Sequence, residues 1–357
     1  MRLTVLNVAY PLAPVGRDSV GGAEQILAAL DAALVRGGNH SIVLACGGSA
    51  VAGTLWPLPQ ANGLLDEAAV TSARERHDRA IQEALRRWPI DVIHMHGVDF
   101  HHYLPHTAVP VLATLHLPID WYPAHALRPN RPNTWFNCVS TSQHRHASPS
   151  LNLLPPIENG VALEPLTRHA KRGFALMLGR VCPEKGVHIA IDAAKRAGVT
   201  LLIGGEIFEY EAHRRYFDEE VRPRLDARRR FLGPVGLDRK RRLLAAARCL
   251  LIPSLAEETS SLVAREALAA GTPVVAFDRG ALRETIEHGR TGYLVRDAAE
   301  MGEAIARVEA IDPDTCRAVA RQRFSSDRMI EQYLAVYHRL AASARSSDNS
   351  SPVVSAA

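Results

Sequence analysis

The stretch Pro253–Phe277 reads PSLAEETSSLVAREALAAGTPVVAF. It has the pattern of a helix held between two strands. The apolar run Cys249–Ile252 stops at Pro253. A polar loop follows with Glu257 and Glu258, a helix begins near Ser260, and Gly271 ends it before a new strand at Pro273. Thr259, Ser260 and Ser261 are of the types that cap helix N-termini. Such a start carries roughly half a positive charge and several free N–H groups, which favour a phosphate. Glu266 would lie about 7–8 Å further along the axis, where a nucleotide with its phosphates at the helix start presents its ribose. Glu258, still in the loop, reaches a group on the other side of those phosphates. By spacing alone, Glu257, Glu258 and Glu266 are equally readable as solvated charges beside a helix N-terminus.

Outward from this stretch the same alternation repeats. Phe174–Leu178 is strand-like and leads through Gly179 into a loop, and His188–Arg196 has helical spacing. Thr200–Ile203, Phe231–Leu232 and Pro273–Phe277 continue the strands. The first half begins the same way, with an apolar run at Leu3–Ala9 and a loop containing Gly21 and Gly22. A helix follows at Ala23–Val35, then strands at Ile42–Cys46, Val92–Met95, Val109–Thr114 and Phe136–Ser140. Continuous apolar strands separated by helices predict parallel sheets covered on both faces. Two doubly wound halves follow, joined after the turn dipeptide Asn159-Gly160, and ligands of such sheets bind at the carboxyl ends of the strands. Met329–Leu340 is an amphipathic helix.

Composition excludes several classes. The 357 residues are 47% apolar and 22% charged, which is a globular balance and not that of a disordered or collagen-like chain. The net charge of +4 is too small to point to nucleic acid. No apolar run approaches the roughly 18 residues that span a bilayer. Cys46, Cys138, Cys182, Cys249 and Cys316 are odd in number and never paired as C-x-x-C. They read as buried free thiols in a reducing, cytoplasmic compartment, with no zinc site. The dense basic run Arg222–Arg242 reads as two solvated helix faces around the strand at Phe231.

The E-x7-E spacing of Glu258 and Glu266, followed by ALAAGTPVV, resembles the retaining glycosyltransferases of family 4, which have the GT-B fold. Further segments match in order: VGGAE at Val20–Glu24, DVIHMHG at Asp91–Gly97, TLH at Thr114–His116 and ENGVAL at Glu158–Leu163. LGRVCPEKG at Leu178–Gly186, RGALRETIEHGRTGYLV at Arg279–Val295 and FSSDRMIEQYLAVY at Phe324–Tyr337 complete the series. The resemblance implies an α/β chain of two Rossmann-like domains facing a central cleft. The first, residues 1–163, is on the acceptor side, with a helix at 327–341 packing back on it. Residues 164–326 form the donor domain, and 342–357 are expected to be a disordered tail. The sequence departs from the family at Thr259-Ser260-Ser261, where Gly-Phe-Gly or Pro-Phe-Gly is common, and at Arg283, where proline is common. Both lie where the sugars would sit.

The implied reaction transfers a sugar from a nucleoside diphosphate sugar, such as a UDP- or GDP-sugar, to a glycan, a lipid-linked sugar or another hydroxyl acceptor. No cofactor or metal is expected. The one Asp-x-Asp, Asp312-Pro-Asp314, reads as a helix start, so activity should survive EDTA. By resemblance Arg180 and Lys185 grip the diphosphate in the metal's place, with Glu258 and His116 beside the transferred sugar. Gly21, Gly22, Ser260, Ser261, Leu262, Val263 and Glu266 complete the donor site. Asp99, Trp121 and Tyr122 are acceptor-side candidates. His94 and His96 alternate on a strand and are expected to face opposite sides, which argues against a shared ion. The rival readings are an epimerase or phosphorylase of the same architecture and a non-catalytic nucleotide-sugar-binding protein.

Overall fold

The computed structural model describes residues 2–60, 65–148, 152–163 and 170–348. Strands β1 (Thr4–Val8), β2 (His40–Cys46), β3 (Thr54–Leu58), β4 (Val92–Met95), β5 (Val111–Leu115) and β6 (Thr134–Cys138) form one parallel sheet. Its order is β3-β2-β1-β4-β5-β6. Helices α1 (Gly22–Arg36) and α2 (Glu67–Arg87) lie between them in sequence, and α3 (Thr141–His146) follows β6. The second sheet contains β7 (Phe174–Leu178), β8 (Thr200–Gly204), β9 (Arg229–Phe231), β10 (Cys249–Ile252), β11 (Val274–Phe277) and β12 (Gly292–Val295), ordered β12-β11-β10-β7-β8-β9. Its helices are α4 (Val187–Arg196), α5 (Glu211–Tyr216), α6 (Leu237–Ala246), α7 (Leu262–Ala269), α8 (Leu282–Thr285), α9 (Ala298–Arg307) and α10 (Pro313–Arg323). Helix α11 (Ser326–Asp348) closes the described chain.

The central strands are buried along their whole length, as their unbroken apolar runs require when helices cover both faces. Edge strand β3 escapes the sequence pattern. It is half exposed and carries Pro57, which an edge strand tolerates because one side of its backbone needs no ladder partner. Helix α2 is also absent from the sequence reading, because charged residues dominate its outer face.

The strand order reverses beside β1 in the first sheet and beside β7 in the second. The crevices at these reversals receive the loops after β1, β4, β7 and β10. The chain crosses between the halves twice at one place. Val161 N donates to Phe324 O (2.8 Å) and Ser326 N to Val161 O (3.0 Å). A Cβ at Gly160 would overlap the Ser325 backbone, so glycine lets the two crossings touch. Helix α11 then returns to the first domain, where Tyr333 and Tyr337 are fully buried.

Two expectations need correction here. The helix does not stop at 341: it continues to Asp348, where Ser343 and Ser346 bond back to carbonyls one turn earlier and Arg345 pairs with Asp91 (3.2 Å). The rest of the expected tail, 349–357, lies outside the described residues. The basic run is also not wholly solvated, since Arg229 is buried against Asp226 and Lys240 reaches into the cleft-side face of α7.

Candidate active site

The loops after β7 and β10 lie against each other. Leu255 N donates to Glu184 O (2.8 Å), and a Cβ at Gly186 would overlap Pro253 O. Gly186 has φ +63°, a conformation glycine adopts without penalty, and this brings Lys185 over the neighbouring loop. Lys185 Nζ sits 2.5 Å from Glu258 Oε1. Burial opposes the Glu258 carboxylate, but Lys185, helped by Ser254 and Arg180, outweighs it and keeps the group below its ordinary range. The Arg180 guanidinium packs over Phe208 at 5.8 Å. Arg180 and Lys185 therefore both act on Glu258, in the loop that leads to Ser261, the N-cap of α7.

The start of α7 is not built as the sequence suggested. Neither Ser260 nor Ser261 caps it through its side chain. The Ser261 backbone is left-handed at φ 43°, alone in this among the described non-glycine residues. This conformation costs about 1–2 kcal/mol in a residue other than glycine. Ser260 is buried with its hydroxyl unpartnered. Thr259 spans the cleft instead, donating to His116 O at 2.7 Å. Glu266 faces Lys240 of α6 at 2.6 Å. Nothing in the local sequence marks this pairing, because the two residues lie on different helices. Leu262 packs into the core beneath α11, and Val263 packs against the second domain's core.

The glycine loop of the first domain meets this site from the other side. Neither Gly21 nor Gly22 has positive φ. Space is the constraint: a Cβ at Gly21 would overlap the Glu24 carboxylate, and one at Gly22 would meet Leu262 Cδ1 at 3.2 Å. Glu24 is 7% exposed, and burial raises its pKa against the opposing pull of its own backbone N–H and Arg180. Sequence reading passed over Glu24, although its place two residues after a glycine pair in the first turn of a helix was visible. Asp18 accepts from Leu237 N (2.8 Å), tying the same loop to α6.

His116 ends β5, and its Nε2 lies 3.1 Å from His96 Nδ1. The expected separation of His94 and His96 does not occur: residues two apart along a strand share a face, and although β4 itself ends at Met95 the two ring centroids lie 3.9 Å apart. His94 bonds Tyr337 (2.6 Å) and Thr114 (2.7 Å), which connects the histidines to α11. Burial pushes His116 down to about 3 and holds His94 and His96 well below their usual range, so all three are neutral at pH 7. His77, 1% exposed, is pushed by burial down to about 4.

These depressed values have a consequence for stability. In the unfolded chain the same imidazoles take up protons near pH 6.5. Their contribution is complete above that pH and is lost as pH falls toward the folded values. Between pH 6.5 and 5 the unfolding free energy should fall by about 1.4 kcal/mol per pH unit for each proton taken up. The carboxyls of Glu24 and Glu284, with raised values, oppose this. His77→Gln isolates one group, and its urea-unfolding slope against pH should be smaller by about one proton. A slope equal to the parent's would contradict the assignment.

The acceptor-side candidates divide. Trp121 is 43% exposed and available to a ring-stacking ligand. Tyr122 is buried, with its hydroxyl accepting from Leu117 N at 3.3 Å. Asp99 is also buried, one oxygen bonded by Arg74 Nε (2.8 Å) and the other by Tyr103 Oη (2.8 Å). Tyr122 and Asp99 are thus both hydrogen-bonded within the first domain, and Trp121 is the exposed member of the three. Asp312 is the N-cap of α10, accepting from Asp314 N and Thr315 N, as its spacing suggested. Arg283 pairs with Asp278 at the surface (2.7 Å).

Residues 173–310 match the family model described as glycosyl transferases group 1. The matched segment makes up most of the second domain. The chain is 36% identical over 194 residues to the glycogen synthase of Mycobacterium tuberculosis, an alignment covering 50% of this chain and 46% of that one. It spans about half the length of several curated relatives it matches. The fold resembles sucrose-phosphate synthase of Thermosynechococcus elongatus (TM-score 0.77, 21% identity, 96% of this chain and 100% of that one). It also resembles HepE of Anabaena in complex with UDP-glucose (TM-score 0.73, 20% identity, 95% and 100%). The architecture is GT-B. The group 1 domain contributes the loops after β7 and β10, so Arg180, Lys185, Glu258 and Glu266 all fall within the matched segment.

Proposed function

We propose that the protein moves a sugar from a nucleoside diphosphate sugar to a hydroxyl acceptor, with retention at the anomeric carbon and no divalent metal in the chemistry. The observation that carries this reading is the Lys185–Glu258 pair, with Arg180 acting on the same carboxylate, in the loop that leads into α7. HepE, which shares the fold, is seen with UDP-glucose.

The diphosphate lies at the start of α7, and its growing charge is met by Arg180 and Lys185. Arginine's fixed fork suits an oxyanion, and lysine supplies a point charge. Lys185 is held by Glu258 until phosphate oxygens compete for it. Glu258 then accepts from hydroxyls of the bound sugar, and Glu266, oriented by Lys240, accepts from the ribose. The bond from the anomeric carbon to the phosphate oxygen breaks, and the acceptor oxygen bonds the same face. The acceptor proton passes to the departing diphosphate. His116, neutral throughout, bonds the sugar and is not an acid in this scheme.

The test is mass spectrometry of released nucleoside diphosphate over a panel of nucleotide sugars, with and without candidate acceptors. Release should depend on the acceptor and be the same with or without added magnesium or manganese. Dependence on added manganese overturns the metal-free mechanism. Conversion of the donor with no acceptor present favours an epimerase instead.

A further inference from the structure

The loop that carries Arg180 and Lys185 also holds a second cluster, which the proposed transfer does not use. Cys182 Sγ, a Glu184 carboxylate oxygen and a His213 ring nitrogen lie within 4.8 Å of one another. Among the described residues no other three histidine, cysteine or carboxylate side chains converge so closely. Two of the residues come from the loop after β7, and the third from α5, twenty-nine positions further on.

Cys182 is 1% exposed; its thiol bonds the Glu184 carboxylate within the cluster and has a long contact, 3.9 Å, to Arg180 O outside it. His213 Nδ1 is buried and has no hydrogen-bond partner in the structure. Its ring is held by aromatic neighbours, Phe208 (centroids 6.3 Å apart, stacked) and Tyr210 (5.2 Å, edge-on). A buried nitrogen left without a partner costs about 1–3 kcal/mol, a cost that coordination removes. Glu184 is exposed, its carboxylate bonded by its own backbone N–H and by Cys182, while its backbone carbonyl is pinned by Leu255 N and Ser254.

The donor set identifies the kind of ligand. A thiolate, a carboxylate and a neutral imidazole carry two negative charges, so a divalent cation leaves the site neutral. Sulfur and imidazole nitrogen select zinc-class metals over magnesium or manganese, which prefer oxygen. Ligand bonds of about 2.0–2.3 Å require the three atoms to draw together by roughly an ångström. The exposed Glu184 and the short helix α5 permit that movement. Arg180 is a nearby positive charge and lowers the site's affinity.

We propose that Cys182, Glu184 and His213 form a binding site for a zinc-class divalent cation, with the fourth position open to water. A bound cation ties α5 to the loop that presents Arg180 and Lys185 to the cleft. It is a fastening separate from the sugar-transfer chemistry, and it stands or falls independently of that reading.

The experiment titrates the chelator-stripped full chain with cobalt(II), whose bond to a thiolate gives a charge-transfer band in the near ultraviolet. One cobalt per chain should bind with this band, and zinc should displace it. Cys182→Ser should lose the band, which separates Cys182 from the four other buried free cysteines. His213→Gln, on a partly exposed helix, should fold normally and bind cobalt about 10-fold or more weakly. If Cys182→Ser fails to fold by circular dichroism, the His213→Gln affinity decides alone. No near-ultraviolet band at saturating cobalt, a band that survives in Cys182→Ser, or unchanged affinity in His213→Gln overturns the site.

Discussion

Lys185→Ala and Arg180→Ala are each expected to slow turnover by about 10- to 100-fold. Each charge-assisted bond to a diphosphate contributes roughly 1.5–3 kcal/mol, and about 1.4 kcal/mol is a tenfold change in rate. Lys185 should show the larger loss of binding. In the unloaded site it neutralises Glu258 at 2.5 Å, so its removal leaves a buried carboxylate facing the incoming anion. Lys185→Ala should therefore also raise the Glu258 pKa, and part of the binding should return at lower pH. Calorimetric titration with nucleoside diphosphates decides this, alongside circular dichroism to show that both variants fold. Unchanged affinity in both would remove them from the site and would falsify the clasp on which the proposed function rests.

Arg265→Ala should be the most destabilising single truncation at the cleft, by about 3 kcal/mol. Arg265 is 1% exposed, although it is a charged residue directly before Glu266. Its guanidinium bonds Asn159 O, lies 3.5 Å from Glu158 Oε2 and packs over Phe324 at 4.8 Å. Burial lowers its pKa to about 10, against the pull of Glu158, yet it remains charged at neutral pH. These partners are the two chain crossings between the domains. Truncation leaves a cavity and an unpaired carbonyl there, and loosens α7 against the hinge. The urea midpoint should fall, and donor affinity should fall with it because Glu266 shares the helix. Arg265→Lys should recover less than half of the stability, since an ammonium cannot reproduce the fork or the stacking. A midpoint equal to the parent's in Arg265→Ala would show that the crossing does not depend on this side chain.

Much of the site was legible because its markers are local. The strand ends before Gly179 and Pro253, the Gly186 turn and the Glu258–Glu266 spacing are all fixed by neighbours in sequence. A strand followed by a loop and a helix places such residues at the carboxyl edge whatever surrounds them. The family resemblance added roles to residues that spacing alone left ambiguous. The period of a strand puts His94 and His96, two residues apart, on one face, and their ring centroids lie 3.9 Å apart. Serines of capping type stand before α7, but the backbone at Ser261 turns left-handed and their hydroxyls do not reach the helix N–H groups. Asp99 and Tyr122 are buried and bonded to Arg74, Tyr103 and the Leu117 amide, partners that spacing does not reveal.

The amino-acid order alone determined two parallel doubly wound halves, the loops that reach their crevices and the cationic and acidic residues those loops bear. Periodicity and turn chemistry act over a few residues and need no knowledge of what lies across the cleft. Only the tertiary structure decided which of those groups meet: Lys240 with Glu266, Thr259 with the His116 carbonyl, Arg265 with the two crossings, and Cys182 with His213. A side chain's partner is set by how helices and sheets register against one another, and that registration is a property of the packed whole.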